Sequence, residues 1–347
     1  MPQIDVIAVV GPRAPERVRC AKRLAERTQR AFIPAARLSV AADPIEEAIA
    51  LVPWTTPSSG AVVEFPAETP VLELIGALTA PEAPTRLLAV VCVADAERLE
   101  VDLADESYVT RTAGAGEVEH TARAWLTVTQ VEHATTIVLA NADRLHAERR
   151  DDLIGLLGLL APTARIHAAG TGSVSPIPLD LAELGPAQAR AGWSRALSGD
   201  LVRAPRGAAG AFRYENERPL HPWRLHLLLA ERFESGEFGT IMRSAGFCRL
   251  ATRPGAIAQW EQVGAMFDLV PLADAVWSEG GSAAEEVELL TLGQDLFVAG
   301  YDLDRAAFTA ALDDAALHDG ELVAGPDEWR TYPDPFPDWL VADDHEH

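Results

Sequence analysis

Residues 4–10 read IDVIAVV and run directly into Gly11-Pro12. A continuous apolar run of this length, stopped by a turn, predicts a strand buried on both faces. The pattern then lengthens: Val18, Ala21, Leu24 and Ala25 form one stripe across residues 16–30, which predicts a helix. LLAVVCV at 87–93 and TIVLA at 136–140 repeat the strand signal, and a short strand is expected near 165–168. Helical patterns at 117–131 and 147–160 separate them. Continuous apolar strands alternating with helices define an α/β fold, a parallel sheet with helices on both faces. Ligands of such sheets bind beyond the carboxyl ends of the strands. Here those ends are the loops after Val10, Val93 and Ala140.

Residues 171–210 change character; TGSVSPIPLD and RAPRGAAGA read as linker. Beyond them the sequence predicts strands at 212–214, 247–252, 257–262 and 267–270, and a helix at 222–232. A hairpin is expected from strands 288–292 and 296–300 around Gly293-Gln294-Asp295. Asp304 is placed to cap a helix running to about Leu317. This second half is α+β with a mostly antiparallel sheet. The expected organisation is a first domain over 1–172, a linker over 173–210 and a second domain with an acidic tail over 211–347.

The 347 residues include 48% hydrophobic and 23% charged, enough apolar material for ordinary cores, which excludes a disordered chain. No run of 18 apolar residues is present, so no membrane span is expected. The start, MPQIDVIAVVG, lacks the features of a signal peptide, and Cys20, Cys92 and Cys248 are far apart. A cytoplasmic location is the expectation. The net charge of −23 disfavours nonspecific nucleic-acid binding. Residues 279–347 alone hold 18 acidic residues against two arginines, either a solvated face or a docking surface for something basic or cationic. The terminal Asp343-Asp344-His345-Glu346-His347 reads as a frayed acidic tail or a weak metal site.

Several motifs in the second half occur in a known order. Arg218-Pro219-Leu220-His221-Pro222 resembles the Arg-Pro-Phe-His-Pro motif of the CobW carboxy-terminal domain. Residues 242–247 (MRSAGF), 250–254 (LATRP), Trp260 and Gly264 are similar to further motifs of that domain, and the tail from Gly325 to Trp339 resembles its zinc-responsive bacterial branch. The resemblance implies a P-loop GTPase domain in front of a CobW carboxy-terminal domain, in a family of metal-trafficking GTPases. The tail also looks like a mycobacterial branch linked to recruiting a ribosome hibernation factor under zinc limitation, although that branch's cysteine cluster is missing here. The bland reading of Trp260, Trp277, Trp329 and Trp339 is packing. His221 is either a helix cap before Pro222 or a residue facing a partner. His221, Trp329, Phe336 and Trp339 are the candidate partner-binding residues.

The first half departs from the family. A working P-loop is Gly-x-x-x-x-Gly-Lys-Ser/Thr, whose amides and lysine hold phosphate and whose hydroxyl holds Mg²⁺. This chain has Gly11-Pro12-Arg13-Ala14-Pro15-Glu16-Arg17-Val18. Glu16 brings a carboxylate where phosphate belongs, Arg17 replaces the lysine, Val18 removes the hydroxyl and two prolines remove amides. Lys22, the only lysine, lies a turn too far along. The family's Gly-Cys-x-Cys-Cys metal motif has Gly60-Ala61-Val62-Val63-Glu64 as its counterpart, with no thiolate left. Asp95 matches the family's Mg²⁺-side aspartate and also suits a turn. Asp143 matches the base-reading carboxylate, although Ala140 and Asn141 replace its partners. Gly11, Arg17, Asp95 and Asp143 are therefore read as a vestigial nucleotide site. The expected function is metal, particularly zinc, homeostasis by a non-hydrolysing protein that binds a protein partner, a ribosome or hibernation factor among the candidates, with no required cofactor. The competing expectations are a GTP-dependent metallochaperone with an altered site, taking GTP and Mg²⁺, and a structural partner of an intact family member.

Overall fold

The computed structural model describes residues 3–55, 59–112, 118–170, 184–185, 190–199, 206–233, 235–272 and 293–339. The chain divides into two compact units, residues 1–195 with 201–209, and residues 196–200 with 210–347. The expected strand at 288–292, Trp277, the terminal Asp-Asp-His-Glu-His and most of the linker fall outside the described residues.

The first unit is built on a six-stranded parallel sheet in the order β2-β3-β1-β4-β7-β8. Its strands are β1 (Ile4–Val10), β2 (Ala31–Ile33), β3 (Ala61–Glu64), β4 (Thr85–Asp95), β7 (Thr136–Ala140) and β8 (Arg165–Ala168). Helix α1 (Ala14–Thr28) presents Cys20, Ala21, Leu24 and Ala25 to Ile7, Val9, Val62, Val91 and Val93. Consecutive residues Val6–Val10 are all buried, which is why β1 shows no alternation. The sheet is flanked by helices in the manner of P-loop NTPases, among them α4 (Val71–Thr79), α6 (Arg123–Glu132) and α7 (Ala147–Leu160). The chain moves outward from β1 to the β2 edge, then crosses to β4, so the direction of winding reverses at β1. That reversal opens the crevice used by ligands of such sheets. The loops after β1, β4 and β7 lie side by side because those strands are neighbours.

The expected helix at 117–131 is corrected at its start. Val118–Ala122 (β6) pairs antiparallel with Tyr108–Thr112 (β5) in a two-stranded ribbon, and α6 begins only at Arg123. Cross-strand pairing has taken residues that a single-sequence pattern assigned to the helix. Within the stretch read as linker, Gly192–Leu197 is helical and Trp193 is buried.

The second unit holds a five-stranded sheet in the order β12-β11-β10-β13-β9: β9 (Ala209–Asn216), β10 (Thr240–Cys248), β11 (Ala258–Val263), β12 (Met266–Pro271) and β13 (Gln294–Tyr301). β10 pairs antiparallel with β11 and β13, and β11 with β12. Gln294 and Asp295, expected in a hairpin loop, belong to β13, where Asp295 faces Phe247. Helices Pro222–Glu231 and Arg305–Ala315 supply Leu225, Leu228, Phe308 and Leu312 to a core with Trp260, Leu296 and Val298. The Asp304 carboxylate accepts from Ala307 N at 2.9 Å and starts the second helix. No described helix is long and apolar enough to cross a membrane.

Candidate functional site

At the carboxyl edge of the parallel sheet, β1 ends at Val10 and the chain turns on Gly11 at φ +142°, where a Cβ would come within 2.3 Å of Val93 O. Only glycine fits a turn this close to the neighbouring strand. Helix α1 then starts with Pro15 in its first turn and no side-chain cap. Arg17, in that first turn, points inward and is 4% exposed. Its Nε donates to Glu64 Oε1 at 3.2 Å and its Nη1 to Gly11 O at 2.5 Å. Glu64, at the end of β3, is 3% exposed and its Oε2 accepts from Ala35 N at 3.3 Å. Burial draws the Arg17 pKa down from its ordinary value, and the neighbouring Glu64 opposes that shift. Glu16 faces the other way and pairs with Arg19 at 2.6 Å.

Arg13 is held on the opposite side of the loop. Its Nε donates to Asp102 Oδ2 at 3.1 Å, and Nη2 makes a second, shorter contact with Oδ1. That hydrogen bond raises the Arg13 pKa against the effect of burial, with Asp102, Asp95 and Asp105 adding their charge. A cavity of about 260 Å³ lies here, lined by Arg13, Asp102, Asp105 and Arg123 among others. Arg123 pairs with Glu68 at 3.1 Å, and the Ser107 hydroxyl lowers the Asp105 carboxyl below its ordinary range.

Asp95 closes β4. Its Oδ1 accepts from Glu97 N at 2.8 Å and its Oδ2 from Asn141 Nδ2 at 2.7 Å. Asn141, just past β7, is buried in the left-handed region at φ 57°. Asp143 follows in a short 3-10 turn and lies against Gly170, whose Cβ would sit 3.0 Å from the Asp143 carboxyl carbon. The structure thus brings Gly11, Asp95 and Asp143 to one sheet edge on three adjacent strands and turns Arg17 beneath it. Among the described residues no group of three or more His, Cys, Asp or Glu side chains is arranged to hold a metal ion. Ala61, Val62 and Val63, in the counterpart of the cysteine motif, are buried in β3. Cys20, Cys92 and Cys248 are buried elsewhere, and burial pushes each thiol up to about 12.

The candidate residues of the second unit meet along its tail. His221 occupies the N-cap position before Pro222, although its side chain makes no cap bond; its ring stacks on Tyr332 at 4.8 Å and 11°. Its Nδ1 is buried without a hydrogen bond, and burial lowers its pKa from the ordinary value. Trp329 Nε1 donates to Glu321 O at 2.6 Å. Asp334 accepts from Thr252 Oγ1 at 2.5 Å and from Arg253 Nε at 3.0 Å. Arg253 also donates to Phe336 O at 3.0 Å and lies over the Trp339 ring at 4.2 Å. Phe336 and Trp339 pack against the core. The segment 329–339 is therefore a strap laid on its own domain.

Sequence reading missed Arg13, Glu64, Asp102 and Asn141 as members of these networks. Glu64 did carry a signal, a carboxylate ending an otherwise apolar strand. Arg13 and Asp102 are 89 positions apart, and nothing local couples them.

Comparison with known proteins adds the following. Residues 209–316 match the cobalamin synthesis protein CobW C-terminal domain. The chain is 28% identical over 307 residues to zinc-regulated GTPase metalloprotein activator 1 of Dictyostelium discoideum, covering 80% of this chain and 62% of that protein. It is 29% identical over 244 residues to the zinc chaperone Rv0106 of Mycobacterium tuberculosis, covering 64% of this chain and 56% of that one. It thus spans less than two thirds of the length of either relative. A solved structure, the zinc-bound YjiA GTPase from E. coli, aligns with 91% of this chain and 100% of its own at 12% identity and a TM-score of 0.36. The fold is a P-loop NTPase-like parallel sheet followed by an antiparallel-sheet domain. Residues 209–316 of that second part match the CobW C-terminal domain, and the chain is similar over most of its length to a zinc-regulated GTPase metalloprotein activator.

Proposed function

We propose that this protein serves metal homeostasis, specifically zinc, as a non-hydrolysing relative of the CobW-type GTPases that acts by binding a protein partner. The observation carrying this reading is that the charged side chains at the nucleotide edge are already engaged within the protein. Arg17 is spent on Glu64 and Gly11 O, Arg13 on Asp102, and Asp95 on Asn141 and Glu97 N. A magnesium nucleotide fits these residues poorly. The position that should supply a lysine to phosphate holds a buried, paired arginine, and Val18 offers no hydroxyl to a metal. Gly11, Arg17, Asp95 and Asp143 are on this reading remnants that now hold the sheet edge together. Similarity to a zinc-regulated GTPase metalloprotein activator and to a zinc chaperone supports the zinc context. Titration calorimetry of the full chain with a nonhydrolysable GTP analogue and Mg²⁺ is expected to give no heat of binding up to millimolar ligand. Micromolar affinity would instead establish the GTP-dependent metallochaperone.

Within this reading the partner is a ribosome hibernation factor or the ribosome, engaged in the cytoplasm under zinc limitation through the outer surface of the strap that His221, Trp329, Phe336 and Trp339 anchor. The resemblance of the tail from Trp329 to Phe336 supports it. Affinity capture from zinc-starved cells is expected to enrich ribosomal subunits; capture without them rejects this partner.

A further inference from the structure

Glu64 is a carboxylate at the inner end of a parallel strand, 3% exposed, in a position that borders three apolar residues of β3. Burying such a charge is unfavourable unless opposite charge and hydrogen bonds compensate it. Here two donors do so: Arg17 Nε at 3.2 Å and the Ala35 amide at 3.3 Å. Arg17 in turn closes the first loop through Gly11 O at 2.5 Å. One carboxylate therefore ties together the end of β3, the first turn of α1, the loop at Gly11 and the chain after β2. An apolar pair of similar volume would fill the same space without the desolvation of two ions. The ion pair makes physical sense where the cation's position is one that normally meets an oxyanion ligand.

We propose that Glu64 is a built-in oxyanion: its carboxylate gives Arg17 the negative charge that a bound ligand would otherwise supply, and so holds the first loop in one ligand-independent arrangement. Beneath the loop lies a latent oxyanion site, formed by the Arg17 guanidinium and the Ala35 amide, that opens to small oxyanions when the carboxylate is removed. This rests on the non-hydrolysing reading above and adds its cause. It also separates a loop that has merely decayed from one whose ligand charge has been moved into the chain.

The test compares the full-length wild type, Glu64→Ala and the double variant Arg17→Met/Glu64→Ala. Thermal melts are run in sodium acetate and in sodium phosphate against sodium chloride at matched pH and ionic strength. Glu64→Ala is expected to melt below the wild type and to regain about 3 °C or more in acetate or phosphate relative to chloride, by preferential binding to the folded state. The wild type and the double variant are expected to show only the smaller shift that these salts give any folded protein, so the gain is read as the excess of Glu64→Ala over both. If Glu64→Ala does not fold in chloride, its refolding yield with and without acetate or phosphate is read in the same way. A Glu64→Ala protein that no oxyanion rescues, or a double variant rescued equally well, overturns the proposal. An unrescued variant beside a wild type silent to GTP removes this inference and leaves the non-hydrolysing reading standing.

Discussion

Arg17 and Arg253 show two uses of a guanidinium in one chain. Arg17 is buried beneath the first loop and faces Glu64, so the charge serves only the interior. Arg253 lies near the surface of the other unit, gripping Asp334, Phe336 O and the Trp339 ring, and so fastens the tail. In the first unit the charged groups at the carboxyl edge of the parallel sheet are paired within the protein: Arg17 with Glu64, Arg13 with Asp102 and Asp95 with Asn141. In the second unit the family-like motif residues are themselves the packing: Trp260 fills the core, Leu220 bridges to Leu250 and Ala316, and Arg253 with Asp334 secures the strap. A motif that builds a core is indifferent to the loss of a ligand. A buried charged group at a sheet edge needs a partner, because burying an unpaired charge is costly.

That contrast can be broken most severely at the two buried anchors. Trp260 is fully buried, donates to Ser244 Oγ at 2.9 Å and meets Phe267 edge-on at 4.7 Å. Trp260→Ala should cost about 3–5 kcal/mol in urea denaturation. Glu64→Ala, which strands the Arg17 charge, should cost a comparable amount of about 3–5 kcal/mol, whereas the double replacement Arg17→Met/Glu64→Leu should return close to wild-type stability. A double variant as weak as the single one would show that the pair does more than satisfy itself. An intermediate effect is expected at the strap: Arg253→Ala should cost about 1–2 kcal/mol and speed proteolytic cleavage within 329–339, followed by mass spectrometry. Unchanged cleavage would mean that the aromatic anchors alone hold the segment.

The smallest effect is in acid. Hydrogen bonding from Arg224, at 2.7 Å to each oxygen, is the main reason the Glu321 carboxyl is held at about 2, below its ordinary 4.5. The folded state therefore binds this proton less readily than the unfolded chain. The resulting stabilisation is full above about pH 4.5 and is lost as pH falls toward 2. Glu321→Gln should flatten that part of the stability profile; an identical acid slope would show that the pair contributes nothing in solution.

Much of this molecule is written in local pattern. IDVIAVV, LLAVVCV and TIVLA became β1, β4 and β7, and the 147–160 helix was legible at both ends. The loop defects at Glu16, Arg17 and Val18 were equally plain, because a P-loop is a contiguous motif. The β5–β6 ribbon and the place of Gln294 and Asp295 within β13 were not legible, since pairing partners decide both. By itself, then, the sequence determined the class of each half and the departure of Gly11–Val18 from the P-loop pattern. Only the tertiary structure decided where the remaining charges go. Arg17 finds Glu64 across 47 residues and Arg13 finds Asp102 across 89. Such distant partners are chosen by which strands lie side by side and by the cost of leaving a buried charge unpaired, and neither is a property of any local stretch of chain.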